Sequence, residues 1–186
     1  EDSVIHEATI GWKHLFSADH TLTLGGGPSF RETENRDSLW GYNATIEYNY
    51  PFERGDFLLA IDKGFDQDNF SGLADKGFVD SWTFEGKVSY QLLEKLTGDV
   101  KVSYRLEDRS DLNIVYEDGE FTNDSEDDYL IDKYSASVGL SYSFLNDYGI
   151  NLRYSFTEVD SEKELDDYRE HRFILTLKYE ADWLRW

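Results

Sequence analysis

Residues 41–61 read GYNATIEYNYPFERGDFLLAI, and their first half alternates almost without a break. Tyr42, Ala44, Ile46, Tyr48, Tyr50 and Phe52 fall on one side, and Asn43, Thr45, Glu47 and Asn49 on the other. A period of two is the period of a β-strand, whose successive side chains point to opposite faces. The reading of this stretch turns on one question: whether the greasy face looks into a core or out toward lipid.

The whole chain has the same interleaved character. Its 186 residues suit one unit with a core of its own, 1–186, and give no reason for a second. Aromatic residues make up 16%, yet the net charge is −21 and the mean hydropathy is −0.63. No apolar run reaches the roughly 18 residues of a membrane-spanning helix, whereas a spanning strand needs only about 9–11 and shows lipid one face. Cys is absent, which removes disulfides and thiol chemistry. The acidic balance argues against nucleic acid, which requires clustered Lys and Arg, and favours cations as small partners. The opening EDSVIHEATIGW has neither the basic start nor the apolar stretch of a signal peptide, which leaves a mature, trimmed or cytosolic chain, and the missing Met at position 1 favours processing or truncation.

Alternation predicts nine strands, at 7–16, 21–31, 39–52, 56–66, 80–93, 99–107, 134–145, 149–158 and 172–183. Short turns at SADH, ERG, EKLTG and NDY alternate with long polar connections at ETENRDS, QDNFSGLADKGFV, 108–133 and 159–171. An up-and-down meander follows, with tight turns at one end and long loops at the other. Residues 107–133 hold 11 Asp/Glu against 2 Lys/Arg, so the loop end is strongly acidic.

Soluble and membrane barrels share alternation, but they differ in the order of residues along the apolar face. Trp and Tyr prefer the headgroup level and aliphatic side chains the hydrocarbon, so a lipid-facing strand is aromatic at both ends. Trp40, Tyr42, Ala44, Ile46, Tyr48, Tyr50 has that order, as does Trp82, Phe84, Gly86, Val88, Tyr90. It recurs from Tyr134 to Tyr142 and from Tyr148 through Tyr154 to Phe156, and more loosely around Trp12 and from Phe173 through Tyr179 to Trp183. Lys63 interrupts the face, which points to a bulge or to the headgroup level. The expectation is an all-β, antiparallel, up-and-down transmembrane β-barrel with two aromatic girdles.

The opposite faces are small or polar, as at Ser135, Ser137, Gly139, Ser141 and Ser143. Candidate lumen-lining charges are Glu47, Asp62, Glu85, Lys87, Lys101, Arg105, Glu107, Arg153 and Lys178. Mixed signs across a lumen tune ion selectivity, while the same charges paired between neighbouring strands would plug a narrow one. NDSEDD at 123–128 is dense in hard oxygen ligands but lacks the spacing and the turn glycine of an EF-hand, which favours a solvated acidic loop over a Ca²⁺ site. GGGPSF at 25–30 lacks the Lys-Ser/Thr ending of a phosphate loop, so its glycines are read as allowing bending or close backbone approach. His6, His14, His20 and His171 have no metal spacing, and no Ser, His and acid set singles itself out, so neither a cofactor nor an enzyme is expected.

These patterns together resemble bacterial outer-membrane β-barrels of the porin-like kind. Such barrels commonly end on an aromatic residue that the assembly machinery reads, and this chain ends FILTLKYEADWLRW. The resemblance implies an outer-membrane location, contact with lipid and lipopolysaccharide, periplasmic short turns, extracellular acidic loops that could hold divalent cations, and passage of ions or small polar solutes. Two alternatives remain open: a non-conducting barrel that anchors or binds a partner protein, and a soluble, lipocalin-like barrel for an apolar ligand. Bacterial single-chain barrels have an even strand count with both ends in the periplasm. Nine strands therefore predict either a missed strand or the C-terminal part of a larger barrel, with truncation favoured.

Overall fold

The computed structural model describes residues 3–17, 19–33, 36–67, 78–117, 120–144, 148–162 and 167–179. It is all-β: ten antiparallel strands in one up-and-down sheet. In chain order they are β1 (Ser3–Glu7), β2 (Ile10–Leu15), β3 (Thr21–Thr33), β4 (Arg36–Phe52), β5 (Gly55–Gln67), β6 (Phe78–Leu93), β7 (Leu96–Glu117), β8 (Glu120–Ser143), β9 (Tyr148–Ser161) and β10 (Tyr168–Tyr179). From β3 onward each strand pairs with the next, and β1 and β2 both pair with β3.

The single first strand predicted at 7–16 is thus two elements, and it starts earlier. They share one register: Glu7 faces Ser29 and Ile10 faces Gly26. The gap at Ala8–Thr9 lies opposite Gly27 and Pro28. Proline has no N–H to give the ladder, and here the Ala8 N–H donates to the Pro28 carbonyl at 3.2 Å. A β-carbon at Gly27 would fall on the Ala8 carbonyl, so only glycine lets the two backbones come this close.

The predicted tight turns fall between consecutive strands, with β5 following β4 after two residues and β7 following β6 likewise, while Ala18 of SADH and Asn146 and Asp147 of NDY lie outside the described residues. Two of the predicted long loops need correction, while residues 68–77 of QDNFSGLADKGFV and 163–166 of the connection at 159–171 lie outside the described residues. ETENRDS is mostly strand, since β3 runs to Thr33 and β4 begins at Arg36. The acidic segment 108–133 is not a loop either: β7 continues to Glu117 and β8 starts at Glu120, so it forms a paired arm of the β7–β8 hairpin. Asp and Glu are poor strand formers, but each added rung closes next to one already formed, which extends the ladder without a new long-range closure. Within the arm Asp111 faces Asp127 and Glu117 faces Glu120, like charges at opposed positions. The NDSEDD segment lies in this arm as well, and its side chains fall outside the described residues.

The sheet is not closed into a barrel. Among the described residues β10 pairs only with β9, while β1 and β2 pair only with β3. Both edges run in the same direction, because eight antiparallel steps separate them.

The faces differ in a way alternation alone could not fix. Aliphatic residues in the middle of the aromatic face are open even on central strands: Val100 is 51% exposed and Val138 47%, and on β10 Leu177 reaches 73%. The buried apolar side chains among the described residues are Val79, Tyr129, Ile131 and Val159, and the register places all four on the polar face.

Candidate functional site

Two surfaces of the sheet carry its chemistry. On the aromatic face the register collects Trp12, Trp40, Tyr42, Tyr48, Tyr50, Trp82, Phe84, Tyr90, Tyr134, Tyr142, Tyr148, Tyr154, Phe156 and Tyr179. Trp183 lies outside the described residues. Phe173 joins the same face, as its strand's order predicts, and Tyr104, which the belts also contain, went unassigned from the sequence. Rings touch across strands within each belt: Phe84 and Tyr104 at 6.0 Å, Tyr104 and Tyr134 at 5.1 Å, Tyr154 and Phe173 at 4.7 Å, and Tyr148 and Tyr179 at 4.7 Å.

The belts cross the ladder obliquely. Tyr90 shares a rung with Gly98 and Leu140, but the belt residue of β8 is Tyr142, two residues further toward the turns. Tyr142 shares its rung with Ile150, and the belt residue of β9 is again two further on, Tyr148, opposite Tyr179. From β6 to β10 the belt thus drops on average one residue per strand. With a rise of about 3.3 Å per residue and strands about 4.8 Å apart, that slope corresponds to strands tilted by roughly 35° from the belt normal. The upper belt steps the same way, from Tyr134 to Phe156, which lies two residues turnward of the Glu158 that Tyr134 faces. The stretch from Tyr134 to Tyr142 spans about 26 Å along the strand, or about 22 Å once tilted, near the ~25 Å apolar band of outer-membrane barrels.

Beyond the upper belt the same face turns charged. Lys63 pairs with Asp80, and its ammonium sits 5.1 Å from the Tyr42 ring centre and 5.9 Å from that of Trp82. No register shift separates β4 from β5, so Lys63 is not at a bulge. The Tyr104 hydroxyl donates to Asp132, and Arg169 binds Glu158 at 2.5 Å.

On the polar face the register gathers all nine candidate lining charges. Most are tied to neighbours. Lys101 bonds Glu85 at 2.6 Å rather than facing Lys87, its like-charged rung partner. Arg105 lies in an ion pair with Glu107 at 2.7 Å, and Thr45 donates to Asp62 at 2.8 Å. Glu47 and Lys178 are exposed, at opposite sides of the sheet.

The longest-reaching pair includes a residue that sequence reasoning missed. Arg153 on β9 reaches Asp99 on β7 at 3.2 Å, over the intervening β8. Asp99, Gly139 and Arg153 share one rung, and a β-carbon at Gly139 would fall on the Asp99 carboxylate. The glycine is what lets two charges meet across a strand. Short hydroxyls and amides fill the rest, as where the Asn151 amide donates to Ser141 at 2.7 Å. Among the described residues no three His, Cys, Asp or Glu side chains come together as a metal site.

No protein family, curated protein or solved structure matches this chain.

Proposed function

We propose that this sheet is wall material of a β-barrel in a bacterial outer membrane, with the aromatic face against lipid and the polar face lining a porin-like lumen for ions or small polar solutes. The observation that carries the reading is the aromatic face itself: uncovered along its aliphatic middle, bounded by two belts of equal slope, and limited by charges beyond the upper one. A tilt near 35° and an apolar height near 22 Å match what a membrane barrel requires. A soluble, ligand-binding barrel would turn that face inward, and the burial pattern argues against it.

In hydrocarbon an open sheet edge is untenable, because each unpaired backbone group there costs several kcal/mol. The edges at β1/β2 and β10 therefore need partners. Since they run the same way, fully antiparallel closure takes an odd number of further strands. The reading assigns passive transport and no catalytic residue, with lipid and lipopolysaccharide as surroundings and divalent cations as counter-ions of the acidic arm.

The local pairing of lumenal charges favours one second reading, a non-conducting barrel that serves as anchor or partner-binding component. Refolding with vesicles that carry quenchers on their acyl chains, followed by single-channel recording, separates the cases. Quenched Trp fluorescence with discrete conductance steps is the expected result. Quenching without conductance leaves the anchor, and a soluble folded monomer without quenching ends the membrane reading.

A further inference from the structure

The polar face is not uniform along its length. Ser81, Glu107, Ile131 and Ser161 occupy one rung on four adjacent strands, β6 to β9. All four are buried, at 5–9% exposure. One rung outward on this face, Val79 on β6 and Tyr129 on β8 are buried too. Toward the turns the same face opens: Ser135, Ser137, Ser141 and Asn151 are only half-buried.

Resting on the porin-like reading above, we infer that this rung is the constriction of the lumen, a narrow collar at the end near the acidic arm. Apolar Val79, Tyr129 and Ile131 set its width, and the Arg105–Glu107 ion pair supplies its charge. Water wets an apolar constriction poorly, so such a collar throttles ion flow more than a polar wall of equal width. Glu107, with its side chain buried beside Arg105, neutralises that guanidinium at the collar, and low-dielectric walls strengthen the field of either charge left without the other. The wider polar stretch below contributes little resistance.

The chain contains no Cys, so introduced thiols report cleanly. Ser81→Cys and Ser137→Cys are nearly isosteric, and both point to the same face. In vesicle-inserted protein a hydrophilic, membrane-impermeant maleimide is expected to label position 81 at least about tenfold more slowly than 137, with equal rates after unfolding. Equal rates in the folded state overturn the collar whether or not the protein conducts. In single channels Ile131→Ala is expected to raise conductance about twofold and Glu107→Gln to shift the cation-to-anion permeability ratio toward anions. Unchanged conductance and ratio in both variants place the constriction elsewhere. A wild type that inserts but never conducts counts against the porin-like reading, and the labelling rates then still decide where the polar face is closed.

Discussion

The two faces of the sheet are graded along different quantities. The aromatic face changes in polarity from end to end: a belt, an aliphatic band, a second belt, then the charged pairs Lys63–Asp80 and Arg169–Glu158. The polar face keeps a similar composition over most of its length and changes instead in burial, closing at Ile131 and Val159 and opening toward Ser137 and Ser141. In the proposed reading the first gradient follows the layers of a bilayer, and the second follows a lumen with one narrow end. A sheet packed against a second sheet would show neither, because its apolar face would be buried along the whole strand.

Adjacent residues make the sharpest test of this contrast. Val138→Arg places a charge in the aliphatic band, where about 2–4 kcal/mol is lost at mid-depth, while Ser137→Arg next to it enters the polar face and should change stability by less than about 1 kcal/mol. Equilibrium unfolding from vesicles reads both, and equal losses would erase the distinction between the faces.

A smaller effect is expected at Gly139, where a β-carbon displaces Asp99 from Arg153. Gly139→Ala should cost about 2 kcal/mol, as for a partly buried charge stripped of its partner. Added to Arg153→Met it should cost much less, since the pair is already gone; additive losses would show that the crossing pair does not hold the three strands.

Asp80→Asn tests the boundary of the aromatic face. It removes the Asp80 carboxylate from beside the Lys63 ammonium, whose side chain is only 6% exposed. The full cost of breaking a buried pair is reduced here because Asp80 is partly open, so about 1–2 kcal/mol is expected, with recovery in the Lys63→Met/Asp80→Asn double variant. No recovery would mean that the charge, not the pairing, is what this level requires.

The smallest change is Asn151→Ala, which removes one hydrogen bond to Ser141 on the open part of the polar face. A loss of about 1 kcal/mol is expected, with single-channel conductance unaltered. A marked change in conductance would move the narrow point of the lumen turnward.

The face shared by the aromatic residues was legible for most strands, Tyr104 apart, because each strand carries its own order of Trp, Tyr and aliphatic side chains. That the candidate charges share one face was legible, since parity alone puts Glu85, Lys101 and Arg153 on the same side. Asp99 was passed over because its role depends on Gly139 and Arg153, which lie far off in the chain and meet it only through the register. The acidic arm was misread because Asp and Glu weigh against a strand locally, whereas the ladder is extended from rungs already closed. Lys63 read as a bulge or a headgroup-level residue, and the unbroken register removes the bulge while Asp80 supplies a partner from the next strand.

The sequence by itself determined what each strand shows to its two sides, since a period of two needs no knowledge of neighbours. Only the tertiary structure decided how the strands slide against one another. That register turns separate aromatic ends into oblique belts, sets Asp99 beneath Arg153, leaves both sheet edges open in the same direction, and buries Ile131 on a face whose composition reads as open. The reason is physical: side-chain alternation is a local property of the backbone, while register, slope and burial are fixed by pairings between residues distant along the chain.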